Sequence, residues 1–102
     1  MPTHYLIHTE NSSFLVTFID EARTRITITL LDTNVGFEDH PLGRLPWIVM
    51  AIARCEPGTS MIGTLAHPLT GQQSPFVTSR VLGIHQVASV EEAMVETVFA
   101  RA

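Results

Sequence analysis

The sequence predicts an α+β fold: a β-rich single domain in which a curved antiparallel sheet or half-barrel of five to six strands carries one C-terminal helix. Three observations support this prediction. Apolar runs of strand length recur from residue 4 to residue 87, turn-forming residues separate the runs, and residues 89–102 carry a helical pattern instead. At 102 residues the chain has the length of one domain, so residues 1–102 are assigned to a single unit.

The first two apolar runs predict a β-hairpin. HYLIHT (4–9) and SFLVTFI (13–19) flank the turn-forming residues ENS (10–12). In the second run both alternating sets of side chains are mainly apolar. This strand is therefore expected at the centre of the sheet, with both of its faces covered.

The clearest strand pattern is RITITLL (25–31), in which Ile26, Ile28 and Leu30 alternate with arginine and threonine. A long loop is expected over residues 32–46, because this stretch contains two glycines, two prolines and several other turn formers. Apolar Val35 and Phe37 predict that part of the loop packs onto the core as a cover.

The stretch PWIVMAIARCEPGTSMIG (46–63) has two interpretations. It is either a helix that begins near Pro46 and ends at Pro57 and Gly58, or two strands joined by a type II turn over EPGT (56–59). Several β-branched residues and the poor N-cap residue Leu45 favour the hairpin. Both interpretations stay open at the level of the sequence.

A second loop is expected over HPLTGQQSP (67–75), followed by a strand over FVTSRVLGIHQV (76–87) that pairs with residues 60–66. Gly63 and Gly83 lie inside these strands and indicate a bulge or the close approach of another backbone. Strong curvature of the sheet is the expected outcome.

The segment SVEEAMVETVFARA (89–102) predicts the C-terminal helix. Ser89 and Glu92 have the spacing of a capping box, and acidic residues in the first turn favour the helix dipole. The apolar residues expected to lie on the sheet are Met94, Val95, Val98 and Phe99.

Composition narrows the functional classes. Ten acidic residues against six arginines give a formal net charge of −4, which disfavours nucleic-acid binding. Cys55 is the single cysteine, so no intramolecular disulfide is expected. The N-terminus lacks a secretion pattern, and the longest apolar run (47–53) is too short to cross a bilayer, so we expect a cytoplasmic protein that does not engage membranes.

Histidines and carboxylates are the candidate functional groups. His40 follows Asp39 in the long loop, where a carboxylate beside an imidazole can orient the ring or shift its pKa. His67 and His85, with Arg80 between them in sequence, would be placed to converge with His40 or a carboxylate if the sheet closes. The favoured interpretation is that the two histidines stand at strand ends and that Arg80 is a surface charge on an exposed pleat. The candidate ligand-binding residues are thus Asp39, His40, His67, Arg80 and His85.

No catalytic residue, metal site or cofactor is predicted. His4 and His8 share a strand face but lie about 13 Å apart along it, too far to bind one metal ion together. No serine occurs in a nucleophile-elbow pattern, and no phosphate-binding loop is present.

Two functions follow from this reading. The leading one is a non-catalytic binding or protein-interaction module for an unknown protein or small-molecule ligand. Because one helix cannot cover all of the apolar sheet surface, such a module is expected to self-associate as a homodimer. The alternative is a small enzyme that uses histidine and carboxylate residues, with or without a divalent ion.

Overall fold

The computed structural model describes residues 2–20, 22 and 25–101, with residues 99–101 described through their backbone. Within these residues there are six strands, a 3-10 turn at Phe37–Asp39 and one α-helix. The elements are β1 (Thr3–Thr9), β2 (Ser12–Phe18), β3 (Ile26–Thr33), β4 (Trp47–Arg54), β5 (Ser60–Ala66), β6 (Gln73–Val87) and α1 (Val90–Arg101).

The strands form a closed antiparallel barrel in the order β1-β2-β3-β4-β5-β6, and β6 pairs with β1 to complete the ring. The α+β fold predicted from the sequence is confirmed. Five of the ladders are long, whereas β3 and β4 pair only at Thr27↔Ile48 and Ile28↔Trp47 in the described residues. Within the described part of the chain, no helix has the length and apolar content needed to cross a bilayer.

The stretch from Pro46 to Gly63 is a hairpin, and the helical interpretation is wrong. Gly58 has a φ of 91°, and the Thr59 N–H donates to the carbonyl oxygen of Glu56 at 3.4 Å, as a type II turn requires. Proline supplies the negative φ of the preceding turn position, so the local sequence itself directs the reversal.

Curvature of the barrel arises where strands shift register. The β4–β5 ladder shifts twice, and a Cβ added at Gly63 would lie 2.6 Å from the carbonyl oxygen of Ala51. Between β1 and β6 the register shifts where His8 pairs with Gly83 and Thr9 pairs with Val81. The bulges and the close backbone approach that the sequence predicts are therefore present. Glycine is needed at residue 63 because a side chain there would hold the two strands apart.

Two apolar clusters explain why β2 is apolar on both faces. The larger cluster fills the barrel and includes Phe14, Val16, Ile28 and Leu30. The smaller cluster lies between the outer wall and α1, and consists of Leu6, Leu15, Val87 and Ala93. The barrel interior covers one face of β2 and the helix covers the other, as expected for a central strand.

The helix begins as predicted. Ser89 Oγ accepts a hydrogen bond from the Glu92 N–H at 3.1 Å. The Glu92 carboxylate reaches back to the N–H of Ala88, one residue before the partner that a standard capping box would use. The Ser89 end of the capping interaction thus lies where the sequence places it, and the Glu92 end is shifted by one residue.

The face that α1 turns to the barrel is not the predicted one. Met94, Val95 and Val98 are 55%, 54% and 68% exposed, whereas Ala93 and Thr97 are buried. The Thr97 hydroxyl donates to the carbonyl oxygen of Ala93 at 2.7 Å, which satisfies its polar group within the helix. Small side chains at the contact let the helix lie close to the sheet, so the larger apolar residues point outward. The side chain of Phe99 lies outside the described part of the molecule.

The long loop covers the core through a residue that the sequence analysis did not select. Val35 is exposed, contrary to expectation, while Phe37 packs partly against the barrel core. Leu42 is the buried residue of the loop, and Trp47 Nε1 donates to its carbonyl oxygen at 2.8 Å. The second loop is shorter than predicted, because β6 begins at Gln73 rather than after Pro75.

Candidate ligand-binding cavity

A cavity with a volume of about 360 Å³ opens at one end of the barrel in the described part of the molecule. It lies where β1 turns into β2, where β3 ends and where β6 begins, with the long loop at one side. Cavities of this size accept small ligands at the mouths of barrels. Its chemistry follows from three groups of side chains.

Aromatic rings form the apolar floor of the cavity. Phe14 and Phe76 meet edge to face, with ring centroids 5.7 Å apart and planes at 87°. The His40 ring lies 5.7 Å from Phe14 on the loop side. Phe14 is buried in the barrel core, so the position of this floor is held by the main hydrophobic cluster.

A chain of hydrogen-bonded hydroxyl groups forms the wall. Thr9 Oγ1 accepts from Ser79 Oγ at 3.0 Å and donates to the carbonyl oxygen of Ser12 at 3.0 Å. Ser12 Oγ then donates to Thr33 Oγ1 at 3.0 Å. This network joins β1, β2, β3 and β6 across the cavity wall, so its hydroxyls are preorganised rather than mobile.

Two asparagines close the rim above the hydroxyls. Asn34 Nδ2 donates to Asn11 Oδ1 at 3.0 Å, and the Asn34 N–H donates to the carbonyl oxygen of Asn11 at 2.9 Å. Glu10 and Arg80 support this turn from outside through an ion pair of 3.3 Å. The Arg80 backbone N–H also donates to Glu10 Oε1 at 3.2 Å, so the pair fastens the β1–β2 turn to β6.

A hydrogen bond within the loop fixes the tautomer of His40. Its Nδ1 accepts from the N–H of Leu42 at 3.2 Å, so the neutral ring carries its proton on Nε2. Burial lowers the pKa of His40 because the charged imidazolium loses hydration. At neutral pH the ring therefore offers an N–H to an acceptor and cannot accept a proton at Nε2.

Formal charge is missing from the cavity lining. Of the described residues that line it, none is acidic, none is arginine, and His40 is the one titratable group. The remainder are aromatic, hydroxyl-bearing, amide-bearing or apolar. The cavity is consequently suited to an uncharged molecule, because an ion would lose hydration without a counter-charge.

Comparisons with known proteins do not supply a function. No family model, no curated protein and no solved structure matches the chain. Function is therefore inferred from the chemistry of the cavity and of the surface.

The structure brings only one of the five candidate residues into the cavity. Asp39 is exposed in the 3-10 turn, next to His40 but outside the lining. His67 accepts at Nδ1 from the N–H groups of Leu69 and Thr70, at 3.1 Å and 3.3 Å, and so closes its own turn. Its ring packs edge to face on Trp47, with centroids 4.9 Å apart.

His85 and Arg80 lie elsewhere on the surface. His85 Nε2 contacts the carboxylate of Glu96 and connects β6 to α1. Its ring is 5.8 Å from that of His8, and His8 Nδ1 lies 2.8 Å from Ser13 Oγ. The candidate histidines thus occupy three separate settings, and ligand binding by these side chains stays a prediction.

The hydroxyl wall was missed because its residues look ordinary in the sequence. Thr9, Ser12 and Thr33 stand at strand ends, where such residues are common, and Ser79 lies within β6. One usable signal was available: Ser12 and Thr33 would face the same side if the first hairpin and β3 were aligned in register. Cys55 is half-buried against the core, and burial raises its pKa, which disfavours a reactive thiolate.

Proposed function

We propose that this protein is a non-catalytic binding module whose ligand is a small uncharged molecule held in the cavity at the barrel end. The ligand class that fits is a flat apolar ring bearing a carbonyl or another hydrogen-bond acceptor. The observation that carries this proposal is the lining itself: an aromatic floor and a hydroxyl wall with no formally charged side chain among the described residues.

Each part of the lining has a role toward such a ligand. Phe14 and Phe76 are almost fully buried and shape the base of the cavity. The exposed lining residues Pro41, Pro75 and Val77 offer apolar area to a ring, and apolar burial contributes about 25 cal/mol per Å². The Nε2–H of His40 is available to an acceptor, because Nδ1 is already bonded to the Leu42 N–H. The hydroxyl network keeps the wall ordered, so little entropy is lost there on binding.

The binding function is favoured over the enzyme alternative by the state of His40. A general base needs an unprotonated nitrogen within reach of the substrate, and the neutral His40 ring has its free pair on Nδ1, facing the Leu42 N–H. The other candidate histidines lie away from this cavity. The arrangement therefore supports recognition rather than proton transfer.

Self-association is the second part of the proposal. Exposed apolar side chains remain on β4 and β5, away from the helix-covered wall, and include Ile48, Met50, Ile52 and Ile62. A second copy of the chain would remove this area from water. We place the module in the cytoplasm, since its single cysteine suits a reducing compartment.

The test is a fragment screen by NMR on the isotopically labelled protein. The screen compares uncharged aromatic carbonyl compounds with aromatic carboxylates and amines of the same size. We expect the uncharged set to shift the amide signals of Asn11, Ser12, Phe76 and Ser79. Selective binding of the charged compounds, or shifts confined to residues outside the cavity, would contradict the proposal.

A matched pair of variants locates the site. Val77 lines the cavity and is 63% exposed, so Val77→Trp should obstruct the opening without disturbing the core. Leu82 lies on the same strand, is 58% exposed and does not line the cavity. Val77→Trp should abolish the fragment shifts and Leu82→Trp should retain them. Equal binding by both variants would place the ligand elsewhere.

A further inference from the structure

The tripeptide His-Pro-Leu occurs twice in the chain, at 40–42 and at 67–69. In both copies the histidine Nδ1 accepts a hydrogen bond from the backbone N–H of the leucine two residues later, at 3.2 Å for Leu42 and 3.1 Å for Leu69. An asparagine or aspartate oxygen plays the same part in an Asx turn. Each histidine therefore holds a turn through a ring nitrogen that must be unprotonated.

The first of these turns forms one side of the cavity. His40 and Pro41 line it, and the His40 ring lies 5.7 Å from the ring of Phe14. Proline restricts the residue before it to extended conformations, and His40 has a φ of −90° and a ψ of 138°. Leu42 is buried, and its carbonyl oxygen accepts from Trp47 Nε1. The backbone of the turn is thus held on both sides of Pro41, and the part that can move is the His40 ring.

We propose that ligand binding in the cavity is regulated by pH through His40. When the ring gains a proton, Nδ1 becomes a donor that faces the N–H of Leu42, and the hydrogen bond between them is lost. The charged ring gains hydration by turning away from Phe14 towards water. The cavity then loses one side wall together with the Nε2–H donor, so its uncharged ligand dissociates. This inference rests on the proposed ligand-binding function and adds its regulation.

Burial sets the direction of the pH dependence. It lowers the pKa of His40 below its ordinary value, so at neutral pH the ring is neutral and the cavity is complete. A ligand in the cavity removes more water from the ring and therefore binds best to the neutral form. Its affinity is fully present above the pKa of His40 in the folded protein and is lost as the pH falls through that value.

The charged side chains around the cavity do not contact the His40 ring. Those described are Glu38, Asp39 and Arg44 of the loop, Glu10 of the β1–β2 turn, Asp32 of β3 and Arg80 of β6. The loop carboxylates lie beside Gly36, and the Arg44 guanidinium lies 4.4 Å from the centre of the Phe37 ring. Glu10 and Arg80 pair with each other, and Asp32 lines a groove beside α1. Among the described lining residues, His40 is left as the one group that titrates.

A titration with benzamide tests the regulation, because this aromatic carbonyl compound stays uncharged as the pH is lowered. Its dissociation constant is measured from the amide signals of Ser12 and Phe76, from neutral pH down to the lowest pH at which circular dichroism shows a folded protein. The ring signals of His40 in the same samples give the fraction of neutral ring. We expect the affinity to follow that fraction and to fall about tenfold by one pH unit below the midpoint.

Two asparagine variants locate the pH dependence. In His40→Asn the amide oxygen can accept from the Leu42 N–H but does not titrate, so the affinity for benzamide should not change with pH. His67→Asn alters the second His-Pro-Leu turn, which packs on Trp47 away from the cavity, and should retain the wild-type pH dependence. In the ligand-free protein the Leu42 amide signal should move together with the His40 ring signals, and it should stay constant in His40→Asn.

The outcomes separate the ligand site from its regulation. Absence of benzamide binding at neutral pH overturns both. Binding at neutral pH with an affinity that does not follow the His40 ring, or a ring that stays neutral while the protein is folded, overturns the regulation alone. A pH dependence that His40→Asn retains does the same. If His40→Asn no longer binds benzamide, the Leu42 amide decides, because a signal that is independent of the His40 ring in the wild type refutes the loss of their hydrogen bond.

Discussion

Gly63 offers a sharp test of how the barrel is closed. A Cβ at this residue would lie 2.6 Å from the carbonyl oxygen of Ala51, whereas real Cβ atoms essentially never come closer than 3.0 Å. In Gly63→Ala the β4 and β5 backbones must therefore separate by several tenths of an ångström. Overpacking of this kind costs about 1–3 kcal/mol. For a chain of this length, that corresponds to a fall in Tm of roughly 5–20 °C.

Gly83 is the matched control for this measurement. It is also a strand glycine, but an added Cβ would meet no atom within 4 Å. Since alanine loses less conformational entropy than glycine on folding, Gly83→Ala should raise stability by up to about 1 kcal/mol. Both variants are compared with the wild type by urea denaturation at one protein concentration. A Gly63→Ala protein as stable as the wild type would show that the close approach of β4 and β5 is not a constraint on the fold.

Two further predictions concern the long loop beside the cavity. Leu42 is 3% exposed, whereas Leu69 is 81% exposed. In the same urea assay, Leu42→Ala should lower the free energy of unfolding by about 2–5 kcal/mol and Leu69→Ala by less than about 0.5 kcal/mol. Similar losses for the two variants would contradict the packing of the loop on the core. Burial lowers the pKa of His40 in the folded protein below its value in the unfolded chain. Below about pH 6.5 the unfolded chain therefore binds more protons at His40 than the folded protein does. The contribution of His40 to the free energy of unfolding accordingly falls as the pH decreases towards the folded pKa. Urea midpoints between neutral pH and pH 5 should therefore decline less steeply for His40→Gln than for the wild type, and identical slopes would show that the His40 environment does not disfavour the charged ring.

Local signals in the sequence determined several elements before any tertiary contact was known. The reversal at 56–59 was favoured by proline and glycine, each of which restricts or permits one backbone angle, although the same residues also fit a helix end and left the helical interpretation open. The start of α1 follows from Ser89, whose hydroxyl reaches a backbone N–H three residues away. The doubly apolar pattern of β2 likewise predicted covers on both faces, since burial of each face needs apolar side chains there.

Features that depend on distant residues were decided only by the tertiary structure. The helix α1 packs on the barrel through the face that carries the small residues Ala93 and Thr97, and the larger apolar residues of the helix are exposed. The choice of face depends on how the helix fits against the barrel, which is a tertiary property. The ring contact of His8 with His85, and the hydrogen bond of Thr9 with Ser79, both join residues more than sixty positions apart. Neither pair has a pattern in the sequence that links its members.

The sequence by itself therefore determined β1, β2, β3 and the helix start, because each depends on the preferences of a few neighbouring residues. The choice between hairpin and helix over residues 46–63 was only favoured, not determined. Closure of the ring and the composition of the cavity were decided by strand register and sheet curvature. Register is a collective property, since a shift of one residue turns every side chain of a strand to the opposite face. A single sequence specifies that choice through the sum of all its contacts, and only the folded molecule displays the result.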